Sequence, residues 1–306
     1  MKIGPPKVDA PNPFLALQSR YLVLGTYLIA SVAVGLAYAY LGQYQLLPWA
    51  FDDPLSMPIL SIAIWLVVVG VILGVGHGHG LQLKYVFGRR LPPDFSWPYI
   101  ALLVLSLLMF SMGSFSVVFY VVSLLAPEQA AQMLETDLVL SGEGSGFPQF
   151  YSGLMIFLLV VFAPVVEELV FRGILLQRWA TKWGLRVGIV GSSVVFGMLH
   201  FSNPVGLTLF GLVMALLYVR TQSLWVPMVC HALNNLTVVI LDRSSSFGMG
   251  DQADAVTVAA VQERWWAGLI LIVIAFPILS LFLRRSWPQA KATIPYLLNR
   301  SRADKN

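Results

Sequence analysis

Long apolar runs separated by short polar segments dominate this chain. Charge-free stretches of the length a helix needs to cross the hydrocarbon, roughly 20 residues, run from Tyr21 to Tyr40, Pro54 to Val75 and Trp97 to Leu125. A fourth, Phe150 to Leu176, is equally apolar apart from Glu167, Glu168 and Arg172. Three shorter stretches follow, about Leu185 to His200, Val205 to Val219 and Leu224 to Leu241, and a last full one runs from Trp265 to Leu283. The pattern predicts an all-α fold, a polytopic transmembrane helical bundle of about eight spans with the middle ones short.

Composition narrows the class. Of 306 residues, 58% are apolar and only 11% charged, against about 25% charged in an ordinary soluble chain. A water-soluble globular domain is excluded, and so is disorder, which needs high polarity and low hydrophobicity. The net charge of +4 reads as loop orientation in a membrane protein and not as affinity for nucleic acid. With the N-terminus inside, every Lys and Arg except Arg243 and Arg264 falls in a cytoplasmic segment, counting Arg172 at the inner end of its helix, while the outer loops collect acids such as Asp52, Asp53, Glu128 and Glu263. Both termini are therefore expected on the cytoplasmic side of the cell's inner (plasma) membrane. Ala37-Tyr38-Ala39 resembles a signal-peptidase site, but the polar arm and apolar run before it are long for a signal peptide, so the first helix is expected to be retained. One integral membrane domain, 1–306, is the economical description. Residues 150–241 form its chemically distinct core, 284–306 form a basic tail on the inner surface, and Glu143–Gly146 and Ser244–Gly250 read as flexible.

Ionisable groups at membrane depth cost about 2.5 to 3.5 kcal/mol each on insertion scales and are functional candidates by default. Here they fall into three short patterns on three predicted helices: Glu167-Glu168-x-x-x-Arg172, Phe196-x-x-x-His200 and His231-x-x-x-Asn235. Residues four apart share a helix face and neighbours are about 100° apart. Glu168 and Arg172 can therefore pair, with the carboxylate on the favourable N-terminal side, while Glu167 points elsewhere without a partner, as suits a general base or acid. His231 and Asn235 share a face and can aim at one point. Pro164 should free a carbonyl one turn back and bend its helix, and Gly188, Ser192, Ser193 and Gly197 allow close helix approach. Phe196 reads as a pocket wall.

Glu, His, His and Asn converging in a protected pocket can activate water and stabilise an oxyanion, the chemistry of amide hydrolysis. Glu167, His200 and His231 could equally hold a catalytic zinc, although no HExxH pair is present. The three patterns, in this order over roughly 150–241, resemble the CAAX protease and bacteriocin-processing (CPBP or ABI) family of intramembrane proteases, which includes the Ras-converting CAAX endopeptidase. That resemblance implies an intramembrane endopeptidase with a membrane-associated peptide or protein substrate, for which CAAX-type (prenylated) processing is one option among others. It also implies roles: Glu167 activating the water with help from His200, His231 and Asn235 binding the oxyanion, Glu168 and Arg172 shaping the site, and a pocket open to the cytoplasmic side and the bilayer. Members have been described both as glutamate-dependent and as metal-dependent. The favoured reading requires no cofactor, and zinc is the alternative.

Other residues read as structural. His77 and His79 sit among glycines at a membrane exit without an acidic or cysteine partner and read as a flexible loop, and Cys230 reads as packing and, being the only cysteine, forms no internal disulfide. Asn234 faces about 60° away from the His231 direction. Trp97, Trp179, Trp225 and Trp265 read as interface anchors. Two competing functions remain: a non-proteolytic peptide-binding or bacteriocin-immunity protein on the same scaffold, and a proton-relaying transporter, which would expect inverted repeats. Helical rise also sets a puzzle, placing Glu167 and His231 roughly 16 and 10 Å from the cytoplasmic ends but His200 roughly 21 Å.

Overall fold

The computed structural model describes residues 12–90, 96–135, 142–248, 258–289 and 292–304. Lys2, Lys7, Lys291 and Lys305, which enter the orientation argument, lie outside them, as does the end of the Ser244–Gly250 stretch. The protein is helical, with no strand among the described residues beyond one isolated bridge between Gly88 and Ser223. Among the described residues, seven helices are long and apolar enough to cross a membrane: α1 (Tyr21–Gln43), α2 (Ser56–Gly78), α4 (Trp97–Leu125), α6 (Pro148–Trp183), α8 (Pro204–Thr221), α9 (Trp225–Gly248, its apolar span ending at Arg243) and α11 (Trp265–Ser286). The eighth apolar segment forms α7 (Leu185–Leu199). At 15 residues and 1.5 Å each, it reaches about 23 Å, short of a hydrocarbon core about 30 Å thick. Short helices α3 (Leu83–Phe87), α5 (Pro127–Glu135), α10 (Val258–Glu263) and α12 (Pro295–Ala303) complete the order. The chain is an integral membrane protein.

Burial sorts the helices by position. On α1, Ile29, Val32 and Leu36 are exposed, as expected of side chains that meet lipid tails, because in hydrocarbon only the backbone must be satisfied internally. On α8, the run Val213 to Tyr218 is buried, which makes this helix the centre of the bundle. Small residues let backbones touch where packing alone must hold helices together. A Cβ on Gly268 would stand 2.9 Å from the Gly113 carbonyl, locking α11 to α4, and one on Gly188 would stand 2.6 Å from the Leu176 carbonyl and 2.7 Å from the Ala180 nitrogen, locking α7 to α6. Gly184, at φ +92°, makes the reversal between those two helices in a backbone region that L side chains rarely adopt.

Two segments are more ordered than their composition suggests. The Glu143–Gly146 loop is tethered: Asp53 accepts from Leu55 N–H at 2.8 Å, Ser145 Oγ at 2.7 Å and Gly146 N–H at 2.8 Å. These donors, Leu55 foremost, hold the Asp53 carboxyl below its usual range against the opposing effect of burial. After Arg285 the chain turns back and α12 docks. Asn299 Nδ2 donates to the Tyr85 and Gln222 carbonyls, each at 3.0 Å, and Tyr296 N–H donates to Gln177 Oε1 at 2.8 Å. Gln177 in turn donates to Tyr218 Oη, which donates to the Val86 carbonyl. His77 falls in the last turn of α2, and His79 caps it.

Candidate functional site

Helix α6 carries both glutamates at an irregular point. Its α-helical hydrogen bonding gives way to π-helical turns at Leu158–Phe162 and Leu169–Leu176, and the α-helical piece between them, Ala163–Glu168, holds Pro164 in its first turn and both carboxylates at its end. Such bulges recur at functional sites because each re-aims the side chains that follow.

Glu168 and Arg172 pair as the spacing predicts, at 2.8 Å and fully buried. Arg172 Nη2 also donates to the Gly211 carbonyl at 3.1 Å, and its guanidinium lies 4.6 Å from the Phe196 ring centroid. The same Glu168 oxygen that meets Arg172 stands 3.0 Å from His231 Nδ1. A carboxylate beside Arg only accepts, so Nδ1 carries the hydrogen and Nε2 is left to face Glu167, whose Oε2 is 3.9 Å away. This cross-helix contact was not among the sequence expectations, which gave Glu168 no partner beyond Arg172. Glu168 thus sets the tautomer and orientation of a histidine on another helix.

His200 caps the C-terminus of α7. Its Nδ1 lies 2.7 Å from the Phe196 carbonyl, an acceptor only, so Nδ1 donates and Nε2 is the free ring nitrogen. The ring lies tilted against Phe196 with centroids 4.5 Å apart, and Phe196 and Phe210 meet the His231 ring at 6.1 and 4.8 Å. Phe196 is therefore the wall the sequence suggests, touching Arg172 as well as His200. The loop after His200 is fixed by Asn203. Its backbone N–H donates to the His200 carbonyl, its Nδ2 donates to the carbonyl and Oγ of Ser111 on α4, and its Oδ1 accepts from Gly206 N–H.

Glu167, His200, His231 and Asn235 line one cavity of about 200 Å³, with Asn234 beside them and Leu159, Ala163, Leu207, Phe210, Val238 and Val239 as apolar wall. At roughly 30 Å³ per water, it has room for a nucleophilic water and a peptide group. His200 lines the same cavity as Glu167 and His231, and Leu185 and Ile189 at the start of its helix are buried. Asn235 Nδ2 donates to the Leu159 carbonyl at 2.8 Å, and its Oδ1 accepts from Asn234 Nδ2 at 3.4 Å. Among the described residues, no group of three His, Cys, Asp or Glu is arranged to hold a metal ion. The set Glu167, His200 and His231 has the right donor types for zinc, but as placed here it does not form a metal centre.

Comparison with known proteins points to the same stretch of the chain. Residues 149–237 match the family model described as Type II CAAX prenyl endopeptidase Rce1-like, a window that contains all three sequence patterns. A Bacillus subtilis (strain 168) protein named "Putative membrane peptidase YdiL" is 34% identical over 90 residues, 29% of this chain and 37% of that protein. A second from the same organism, named "Uncharacterized protein YyaK", is 30% identical over 132 residues, 37% of this chain and 44% of that protein. The matches thus span less than half of either relative. No solved structure matches the chain.

Proposed function

We propose that this protein is an intramembrane endopeptidase that hydrolyses a peptide bond of a membrane-associated, CAAX-type substrate. The observation that carries the reading is the convergence of Glu167, His200, His231 and Asn235 from three helices on one cavity, inside the window that matches a CAAX endopeptidase family. The resemblance to a protein named as a membrane peptidase supports it.

Each group has a task its surroundings suit. Glu167 takes a proton from a water held also by His200 Nε2, and the resulting hydroxide forms a bond to the substrate carbonyl carbon. The electron pair displaced onto the carbonyl oxygen is received by donors at His231 and Asn235. His231 can donate from Nε2 only as the imidazolium, since its Nδ1 hydrogen is given to Glu168. Glu167, Glu168, Arg172 and His231 then form a cluster of two anions and two cations, so the charge needed for oxyanion binding is balanced within the site. As the C–N bond breaks, the proton on Glu167 passes to the leaving amine. Counting α7 as an eighth crossing beside the seven long helices, we place both termini and the mouth of the cavity on the cytoplasmic side, in keeping with the distribution of Lys and Arg.

The test is hydrolysis of internally quenched peptides, with and without a farnesylated CAAX terminus, by the detergent-purified protein, with product masses locating the cleaved bond. Cleavage that survives a zinc chelator supports the mechanism written here. Loss on chelation with recovery on adding zinc would replace it by a metalloprotease in which Glu167, His200 and His231 rearrange around the ion.

A further inference from the structure

The irregularity in α6 has a consequence for Asn235. In the π-helical turn Leu158–Phe162, hydrogen bonds run from a residue to the carbonyl five before it, and the last of them joins Ala163 N–H to the Leu158 carbonyl. The next donor in that register would be residue 164 and its acceptor Leu159, but residue 164 is proline and has no N–H. The Leu159 carbonyl is therefore released from the helix at the cavity wall. In a membrane such a group must find another donor, and it finds Asn235 Nδ2, 2.8 Å away on α9. A carbonyl only accepts, so the amide orientation of Asn235 is fixed: nitrogen towards Leu159, Oδ1 towards Asn234.

We infer that Pro164 is a positioning residue for the oxyanion-binding amide. By withholding its N–H it leaves the Leu159 carbonyl to hold one hydrogen of Asn235 Nδ2, which aims the other hydrogen into the cavity. The inference rests on the endopeptidase reading for its catalytic half and on geometry alone for its structural half. Pro164→Ala restores a donor at position 164 that competes for the Leu159 carbonyl, so Asn235 is freed to rotate and the oxyanion loses a preorganised partner.

The experiment is a double-mutant cycle of the full chain with Pro164→Ala, Asn235→Ala and both together, read by two independent signals. The first is the thermal midpoint in detergent, which needs no substrate. Asn235→Ala should lower it by roughly 2–6 °C, because a buried carbonyl loses its donor, and by less than half as much in the Pro164→Ala background, where the new backbone N–H supplies one. The second is cleavage of a quenched farnesylated peptide. Pro164→Ala should lower kcat by about 10- to 100-fold with little change in KM, the size of effect a misplaced oxyanion donor produces, and should add almost nothing once Asn235 is replaced by alanine. Additive midpoints overturn the proposal whatever the peptide assay shows. Coupled midpoints with no cleavage by the wild type overturn instead the endopeptidase reading on which the catalytic half rests.

Discussion

Replacing Arg172 by methionine removes the cation from a fully buried ion pair while keeping a side chain of similar length and apolar character. Glu168 then remains at zero exposure with only His231 beside it, and one of its two oxygens already lacks any partner. Breaking a buried pair from one side costs about 3–5 kcal/mol, because the remaining charge is stranded, whereas replacing both partners by neutral groups is often close to neutral. At about 2–4 °C per kcal/mol for a chain of this order, Arg172→Met should lower the thermal midpoint by roughly 6–20 °C. The double variant Glu168→Gln/Arg172→Met should recover at least half of that. The protein carries its own reporter. Cys230 is the only cysteine and is fully buried, so a thiol-reactive fluorogenic dye lights up as the bundle opens. If Arg172→Met and the double variant melt together, stranded charge is not what the pair guards against, and the assignment of Glu168 as the anion orienting His231 falls with it.

Three further predictions use other parts of the structure. Asn203→Ala cuts the tie between the His200 loop and Ser111 on α4 and should lower kcat more than it raises KM in peptide cleavage, since His200 is displaced and the apolar wall is kept; equal loss in both would contradict this. Gly188→Ala drives a methyl group into the α6 backbone at 2.6–2.7 Å and should lower the thermal midpoint, whereas an unchanged melt would show that α7 can move away freely. The Asp53 tether has a pH sign. Its folded carboxyl titrates below the ordinary aspartate value of 3.8, so its stabilising contribution is present above that value and is lost as pH falls through the lower, folded value. Hydrogen exchange at Leu55 and Gly146 should accelerate beyond its intrinsic pH dependence only in that acid range, and Asp53→Asn should abolish the step.

Much of the fold was legible because membrane spans announce themselves by run length. Trp97–Leu125 matches its helix end to end, and the other long spans differ by two or three residues at their polar ends, except that the fourth runs seven residues beyond Leu176, to Trp183. The Glu168–Arg172 pair followed from spacing within a single helix, and Glu167 does turn to the cavity as neighbouring residues must. What spacing could not supply were contacts set by how helices cross. Glu168 meets His231 across 63 positions and Asn203 meets Ser111 across 92, and no local pattern encodes either. The proline signal at Pro164 was visible, but α-helical counting would assign the freed carbonyl to Val160, and the π-helical register moves it to Leu159. The docking of α12 was hidden for a different reason: its anchors, Tyr296 and Asn299, sit in a polar, basic segment whose composition resembles a solvated tail.

The central claim, that Glu167 activates the hydrolytic water, is tested most directly by Glu167→Gln, which keeps the shape and most hydrogen bonds of the side chain and removes its basicity. The measurement is the rate at which the purified variant cleaves a quenched farnesylated peptide that the wild type hydrolyses, with the thermal midpoint measured alongside. The account predicts a loss of about 10²–10⁴-fold in kcat, the range for removing a general acid–base group, with a midpoint close to wild type because Glu167 lines the cavity and its contact with His231, at 3.9 Å, is longer than a hydrogen bond. Wild-type cleavage by a folded Glu167→Gln protein would contradict it.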